Sequence, residues 1–266
     1  MKSFYLIGQN IDKSLSPYIH NYVFNYFGFD AQYKIKPISS SDEIPPILSA
    51  ILKGKISGIN ITNPYKTAFF DCLNFFDEAA QKIGSTNCIY REEKKNKGCN
   101  TDWYGFKKLI ENRPINTAKV IGYGGAARAV EYALLSLGIK NIQIYTRKKI
   151  NHLNNIVFND IDDIINQHHH KQDLIINSTP YHFISEMNPA SFNLFLSRKI
   201  FWIDLLYTKL STERGVYLND NLYKNGLDML IYQALASIDI WFRKNISKSV
   251  DLDDLKLHLN EVIDAY

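Results

Sequence analysis

A glycine-rich turn between an apolar segment and a helical one constrains the fold of this chain more than any other feature. In AKVIGYGGAARAVEYALLSLG, a strand-like run ends before Gly122 and a helix-like pattern follows Ala127. The first glycine of such a turn permits a sharp bend, the second admits close approach of the backbone, and the small third residue permits close helix packing. A helix that begins there offers amide donors and a partial positive charge to a phosphate. The segment predicts a dinucleotide-binding unit that uses Gly122, Gly124, Gly125, Ala126 and Ala127.

The end of the next predicted strand bears on which nucleotide would bind. An NAD site usually carries Asp or Glu about 20 residues after the glycine turn, where it binds the ribose hydroxyls. NIQIYTRKK has no acid there and instead presents Thr146, Arg147, Lys148 and Lys149. Cations suit a 2′-phosphate, so the sequence favours NADP over NAD. A solvated basic turn, a purely structural glycine turn and a site for S-adenosylmethionine are the alternatives.

Strands and helices alternate on both sides of this unit. Apolar strands are predicted at SFYLIG, AQYKIKPI and ISGINIT, and a hairpin is predicted around REEKKNKG. Between them, SPYIHNYVFNYFGF indicates a helix with Ser16 as its N-cap and Pro17 at the first helical position. After the glycine turn come NIQIYT, QDLIINSTP and IFWIDLLY, and then two amphipathic helices. The alternation is typical of α/β proteins, and we expect two α/β blocks with a ligand cleft between them.

Composition narrows the function classes. The net charge is +4 and the lysines are scattered, so no basic stripe suggests nucleic acid. Three cysteines without a CxxC pair predict reduced thiols rather than disulfides or a zinc site. The apolar runs are too short for a signal peptide or a membrane span. We expect a cytoplasmic protein without a metal, in which the histidines at 168–170 belong to an exposed loop.

Eight segments, in order along the chain, resemble the motifs of one family, that of the shikimate dehydrogenases. They are KSLSPYIHN, NITNPYK, GSTNCIY, NTDWYGF, GYGGAAR, INSTP, DLLYTKLST and NGLDMLIYQALASIDIW. The resemblance implies NADP-dependent reduction of 3-dehydroshikimate to shikimate in aromatic amino-acid biosynthesis. It also implies a substrate domain of residues 1–102 with 235–266, a Rossmann domain of residues 103–234, and a monomer or homodimer.

The resemblance assigns the chemistry to Lys66 and Asp102. Reduction of a ketone needs a group that polarises the oxygen and exchanges a proton with it, and a lysine beside a carboxylate suits that task. The resemblance also assigns substrate binding to hydroxyl and amide side chains, namely Ser14, Ser16, Asn60, Thr62, Asn87, Tyr207 and Gln233. Besides the glycine turn and the basic turn, it assigns cofactor binding to Thr179, Leu205, Gly226 and Met229.

Three positions depart from the family pattern. Lys13 precedes the first serine where His is frequent, YTR replaces the second-strand N-R-T, and His182 stands where a glycine is usual. Two related interpretations remain open: a quinate/shikimate dehydrogenase that uses NAD, and a nucleotide-binding paralogue without catalysis. The basic turn argues against the first of these, and the retention of Lys66 with Asp102 argues against the second. A methyltransferase would account for the glycine turn but leaves the N-terminal half unexplained.

Overall fold

A computed structural model of the protein shows two α/β units. The structure describes residues 1–151, 153–167, 173–207, 218–219 and 221–264. The first unit comprises Met1–Phe106 and Leu230–Tyr266, and the second comprises Lys107–Met229. The chain therefore leaves the first unit and returns to it.

The first unit contains a five-stranded mixed sheet of order β2-β1-β3-β4-β5. Its strands are β1 (Lys2–Gly8), β2 (Ala31–Pro37), β3 (Gly58–Ile61), β4 (Cys88–Glu92) and β5 (Lys95–Cys99). Strands β1, β2 and β3 are parallel, whereas β4 and β5 form the predicted antiparallel hairpin. All four residues of β3 are buried, as expected for a central strand covered on both faces.

Five α-helices lie in the N-terminal segment that the structure describes, and the first of them is the helix predicted at SPYIHNYVFNYFGF. They are α1 (Ser16–Tyr26), α2 (Ile44–Leu52), α3 (Lys66–Asp71), α4 (Glu78–Ile83) and α5 (Asp102–Ile110). The prediction that Ser16 is the N-cap of α1 is wrong, because Leu15 occupies that position and Ser16 is already helical. The hydroxyl of Ser14 instead accepts a hydrogen bond from the Ser16 amide, which satisfies one of the free donors at this helix end.

The second unit contains a six-stranded sheet of order β11-β10-β9-β6-β7-β8 in which every recorded pairing is parallel. Its elements, in chain order, are β6 (Thr117–Ile121), α6 (Gly125–Ser136), β7 (Asn141–Thr146), β8 (Asn155–Val157), α7 (Ile161–Ile165), β9 (Asp173–Asn177), α8 (Phe183–Glu186), α9 (Pro189–Arg198), β10 (Phe201–Asp204) and β11 (Tyr223–Lys224). Because the strands are parallel, the residues that follow β6, β7, β9 and β10 lie along one edge of the sheet, where ligands of such folds bind.

Two helices complete the described chain, α10 (Leu227–Phe242) and α11 (Leu252–Asp264). Helix α10 brings Trp241 onto the ring of Phe4 in β1, with 4.5 Å between the ring centroids. The indole also occupies the space beside Gly58, where an added Cβ would lie 2.6 Å from Trp241 Nε1. Glycine at the start of β3 thus lets α10 pack directly on the sheet. No helix in the described ranges is both long and apolar enough to cross a membrane.

Candidate active site

Lys66 and Asp102 form an ion pair in the first unit. Lys66 is the first residue of α3 and Asp102 is the first residue of α5. Lys66 Nζ donates to Asp102 Oδ2 over 2.6 Å, and the two side chains are 18% and 9% exposed. A charge-assisted bond in such a sheltered position is stronger than a neutral one. Pro64 lies between the end of β3 at Ile61 and Lys66, and it lacks the N–H that a longer strand would need.

The second oxygen of Asp102 is held by the amide of Asn87. Asn87 Nδ2 donates to Asp102 Oδ1 over 2.8 Å, while Asn87 Oδ1 accepts from the backbone amide of Thr101 over 2.7 Å. A backbone N–H can only donate, so the orientation of this side-chain amide is fixed. Both carboxylate oxygens of Asp102 therefore have a defined donor.

Asn60 lies in β3 and is enclosed by protein groups, with 4% of its surface exposed. Its Nδ2 donates to the carbonyl of Asn87 over 3.1 Å and to Ser237 Oγ over 2.9 Å, and its Oδ1 accepts from Tyr33 OH over 3.0 Å. Both amide hydrogens are thus engaged within the unit. Only the remaining lone pair of Oδ1 is left for a further partner.

The other predicted substrate-binding residues of the first unit are Ser14, Ser16, Thr62 and Gln233. Ser14 and Thr62 are half-buried, and Ser16 is buried. Gln233 lies in α10, where its Nε2 donates to the carbonyl of Leu230 over 2.9 Å and its Oε1 lies 3.3 Å from Asn87 Nδ2. The structure thus brings Asn60, Asn87, Asp102 and Gln233 into one hydrogen-bonded cluster. Tyr207, by contrast, is a half-buried residue of the second unit.

Buried titratable groups near this cluster are held uncharged. Burial lowers the pKa of His20 to about 4, and its Nδ1 lies 2.7 Å from the carbonyl of Ser16. Its ring stacks on Tyr33, whose pKa is raised because the phenol is buried. Cys88 and Cys99 face each other across β4 and β5, and burial raises the pKa of Cys88 to about 12 and also raises that of Cys99.

The glycine turn of the second unit has the geometry expected of a phosphate site. Gly122 has a φ of +96°, and an added Cβ would lie 2.7 Å from Ser178 Oγ, so a side chain would not fit there. Gly124 is the N-cap of α6, and an added Cβ would meet no atom within 4 Å. Open space therefore adjoins the first amides of α6, contributed by Gly125, Ala126 and Ala127.

The loop after β9 contains Thr179. The hydroxyl of Thr179 donates to Asn177 Oδ1 over 2.7 Å, and Asn177 Nδ2 donates to Asp204 Oδ1 over 2.6 Å. Burial raises the pKa of Asp204, against the effect of its hydrogen bonds. Beside this loop, Gly226 packs directly on the backbone of Leu205, because an added Cβ would lie 2.1 Å from the Leu205 carbonyl oxygen. Met229 is buried at the start of α10.

The basic turn after β7 contains a buried threonine followed by three exposed cations, of which Lys149 donates to the carbonyl of Asn155 over 2.9 Å. Thr146 is buried, and its hydroxyl donates to the carbonyl of Lys148 over 2.6 Å and accepts from Asn155 Nδ2 over 2.5 Å. Arg147 and Lys148 are exposed. The guanidinium of Arg147 lies 5.3 Å from the ring centroid of Phe158 and 5.8 Å from that of Phe183. These contacts favour one orientation of the guanidinium and leave its N–H donors available.

Metal ligands do not cluster in the part of the chain that the structure describes. No group of three or more His, Cys, Asp or Glu residues there could hold an ion. The histidines at 168–170, predicted to lie in an exposed loop, fall outside the described residues.

Thr101 and Ser237 were not anticipated from the sequence. Both are buried and both bond to side chains of the cluster around Asp102. Thr101 is part of the NTD segment, but a hydroxyl residue beside a carboxylate carries no signal of its own. Ser237 could have been noticed because it lies one helical turn after Gln233, on the same face of α10.

The fold and the glycine turn define a two-unit α/β protein with a Rossmann-type parallel sheet. The family model described as the shikimate dehydrogenase substrate binding domain matches residues 6–89. Shikimate dehydrogenase (NADP(+)) of Clostridium beijerinckii is 33% identical over 256 residues, which cover 91% of this chain and 92% of the relative. The enzyme of that name from Caldicellulosiruptor saccharolyticus is 33% identical over 277 residues, with 96% and 98% covered.

A solved structure is also similar to this chain and carries the same family name. The crystal structure of shikimate dehydrogenase 1 from Peptoclostridium difficile has a TM-score of 0.77 and 29% identity, covering 99% of this chain and 98% of that one. The chain belongs to the shikimate dehydrogenase family.

Proposed function

We propose that this protein catalyses the NADP-dependent, reversible reduction of 3-dehydroshikimate to shikimate, in the biosynthesis of chorismate and the aromatic amino acids. The observation that carries the proposal is the bond between Lys66 Nζ and Asp102 Oδ2, at 2.6 Å, in a member of this family. A nucleotide-binding paralogue without catalysis would have no need for a sheltered lysine–carboxylate pair.

Lys66 exchanges the proton in this reaction. The ammonium has three N–H donors, of which one is directed to Asp102, so that two remain for an oxygen of the substrate. During reduction Lys66 donates a proton to the carbonyl oxygen, and during oxidation it takes the hydroxyl proton back. Asp102 holds Nζ in place. Hydride transfer is the chemistry that NADP supplies when bound.

The first unit binds the substrate in this proposal. Shikimate carries a carboxylate and several hydroxyls, so serine hydroxyls suit its anion, while amides and Thr62 suit its hydroxyls. We assign these roles to Ser14 and Ser16 for the carboxylate, and to Asn60, Thr62, Asn87 and Gln233 for the ring. Tyr207, which the resemblance also assigns to the substrate, belongs to the second unit. Because both amide hydrogens of Asn60 are engaged, Asn60 can contribute only as an acceptor from a substrate hydroxyl.

The second unit binds NADP in this proposal. The residues of the glycine turn and of the first turn of α6 bind the pyrophosphate, and the open space beside Gly124 supports that role. Arg147 and Lys148 bind the 2′-phosphate, and Thr146 shapes the turn that presents them. Leu205 and Met229 line the nicotinamide, and the remaining residues assigned to cofactor binding are Thr179 and Gly226.

The experiment that tests this function is a turnover assay with matched cofactors. Purified protein is mixed with shikimate or quinate and with either NADP⁺ or NAD⁺, and the absorbance of the reduced nicotinamide is followed. We expect turnover of shikimate, with a higher kcat/KM when the cofactor is NADP⁺ than when it is NAD⁺. Turnover of quinate with NAD⁺ at a higher kcat/KM would indicate the quinate/shikimate enzyme instead. If no combination of substrate and cofactor gives turnover while NADP⁺ still binds, the protein would be a nucleotide-binding paralogue without catalysis.

The cellular setting follows from the same proposal. We propose that the enzyme works in the cytoplasm, with small molecules rather than nucleic acid or membranes as its partners. We propose a monomer or a homodimer, and sedimentation equilibrium of the purified chain would distinguish the two.

A further inference from the structure

Two buried hydroxyls lie behind the ion pair, and neither has a role in the function proposed above. Thr101 Oγ1 and Ser237 Oγ are 3.2 Å apart, and the residues are 2% and 0% exposed. Thr101 precedes Asp102, and Ser237 is contributed by α10. We call these two groups the hydroxyl pair.

Thr101 contacts both ends of the Asn87 side-chain amide. Its backbone N–H donates to Asn87 Oδ1 over 2.7 Å, and its Oγ1 lies 3.0 Å from Asn87 Nδ2, from which it accepts. The same Nδ2 donates to Asp102 Oδ1 over 2.8 Å. Thr101 therefore fixes the plane of the amide that binds the carboxylate.

Ser237 sets the direction of the Thr101 hydroxyl. Ser237 Oγ donates its single hydrogen to the Gln233 carbonyl over 3.1 Å and accepts from Asn60 Nδ2 over 2.9 Å. The Cys88 thiol is also within reach, but a carbonyl is the stronger acceptor. Ser237 thus presents a lone pair to Thr101. The Thr101 hydroxyl has three acceptors within reach, namely Ser237 Oγ at 3.2 Å, Asn87 Oδ1 at 3.3 Å and Gln233 Oε1 at 3.4 Å. Donation to Ser237 is the shortest of these contacts, and it leaves a lone pair of Thr101 Oγ1 for Asn87 Nδ2.

We propose that Thr101 and Ser237 are positioning residues for the proton-transfer pair, acting through Asn87. The terminal torsion of an aspartate side chain is soft, so a carboxylate keeps one orientation only when both oxygens are held. The hydroxyl pair fixes Asn87, Asn87 holds Oδ1 of Asp102, and Oδ2 is left facing Lys66 Nζ. This inference rests on the proposed function, since its kinetic effect is on shikimate oxidation.

The first test removes each hydroxyl with little change of shape. Thr101→Val and Ser237→Ala are expected to lower kcat for shikimate oxidation roughly 10-fold or more, because a small misplacement of a reacting group is costly. The KM for NADP⁺ should stay within about twofold of the wild-type value, because these residues belong to the first unit. Thr101→Ser keeps the hydroxyl and should restore most of kcat.

A matched control separates positioning from general destabilisation. Ser191 is 1% exposed, and its hydroxyl has no hydrogen-bond partner among the residues that the structure describes. Ser191→Ala should therefore leave kcat unchanged. A Thr101→Val variant with a lower melting temperature but wild-type kcat would show that the hydroxyl pair is only structural, and the proposal would fall.

A double mutant tests whether the two hydroxyls act together. If Ser237 works only by directing Thr101, Thr101→Val with Ser237→Ala should lower kcat no further than Thr101→Val alone. Rate losses that multiply in the double mutant would contradict the linked arrangement.

A measurement without substrate keeps this inference separate from the proposed function. The side-chain amide signals of Asn87 are identified by NMR as the pair lost in Asn87→Asp. In Thr101→Val we expect these signals to shift and their hydrogens to exchange faster with water, whereas in Ser191→Ala they should not change. Unchanged Asn87 signals in Thr101→Val would overturn the inference even if shikimate is oxidised. A wild-type protein that does not oxidise shikimate would refute the proposed function alone.

Discussion

Lys66 is a flexible side chain held in one direction by its surroundings. It is 18% exposed, and its ammonium is bonded to a carboxylate whose other oxygen is held by Asn87. Most charged pairs on a protein surface contribute little to stability, because solvent screens them and side-chain entropy opposes them. The value of this pair in the proposed reaction lies in its fixed geometry, and its removal should affect rate more than folding.

Lys66→Ala is therefore expected to lower kcat by a factor of roughly 10² to 10⁴, with a much smaller change in the KM for shikimate. Proton transfer is needed mainly in the transition state, so the loss appears in kcat. Steady-state kinetics measure both constants. Lys82→Ala is the control, since Lys82 forms an exposed pair with Glu78 at 2.6 Å in the same unit. A Lys66→Ala variant with the wild-type kcat would show that Lys66 takes no part in proton transfer.

Arg147 allows a second prediction at this scale. Arg147→Ala should raise the KM for NADP⁺ about 10-fold or more and leave the KM for NAD⁺ within about twofold, since only NADP⁺ has the 2′-phosphate that a guanidinium binds strongly. Lys140→Ala, at an exposed position before β7 in the same unit, serves as the charge-matched comparison. An equal loss for both cofactors would contradict the phosphate assignment.

The residues of the candidate site differ in how well the sequence predicts them. Lys66 and Asp102 were predicted because they stand in segments with several distinctive neighbours, and the structure places them in contact. Thr101 and Ser237 are 136 residues apart in the sequence. Their hydroxyls come into contact only because α10 packs against the first sheet. Long-range hydrogen bonds between common hydroxyl residues leave no local pattern, so they require the coordinates.

Helix α1 carries a buried imidazole that makes its packing sensitive to acid. Burial lowers the pKa of His20 to about 4 in the folded protein, against a usual value of 6.5. Between these values the unfolded chain binds the proton more readily than the folded one. The free energy of unfolding therefore falls as the pH is lowered through this window.

We expect His20 to lower the free energy of unfolding by up to roughly 3 kcal/mol when the pH is lowered from 7 to 4. Urea unfolding at several pH values measures it. His20→Leu should lower the stability at neutral pH but remove this part of the pH dependence, whereas His258→Leu should keep it. An unchanged slope in His20→Leu would show that other groups cause the acid sensitivity.

The hairpin of β4 and β5 turns through two residues with positive φ, Glu93 at 48° and Lys94 at 61°. Such a two-residue turn favours Asn-Gly, because these residues adopt the left-handed region at little cost. Replacing Glu93 by Asn and Lys94 by Gly should raise the free energy of unfolding by about 1 kcal/mol, measured in urea. Lys94→Ala keeps the steric conflict and should give no gain.

The predictability of the elements depends on their length and position. Strands such as β3, β6 and β9 are mostly apolar and buried at every position, and they were predicted, as was the hairpin. The short strands β8, of three residues, and β11, of two, were not predicted. They lie at the two outer edges of the second sheet, and so few residues give no period to detect. The misplaced N-cap of α1 has a similar origin, since two serines flank Leu15 and both suit a helix start.

At the scale of the whole molecule, the proposed function predicts linkage between cofactor binding and thermal stability. A ligand that binds only the folded protein at about 100 times its Kd adds about 2.7 kcal/mol to the free energy of unfolding. For a chain of this length, that corresponds to an increase of several degrees in Tm. Differential scanning fluorimetry with NADP⁺ and NAD⁺ at equal concentrations should give the larger increase with NADP⁺. Equal increases would argue against a preference for the phosphorylated cofactor.

The three cysteines give the native protein a single accessible point for chemical labelling. Cys72 is exposed at the end of α3, whereas Cys88 and Cys99 are buried with raised pKa values, which keep them as thiols. Only a thiolate reacts quickly with a maleimide. A fluorescent maleimide should therefore attach once per chain without any engineering, at the end of the helix that begins with Lys66. The dye would report changes near that helix as substrate is added, in a protein whose sequence has not been altered.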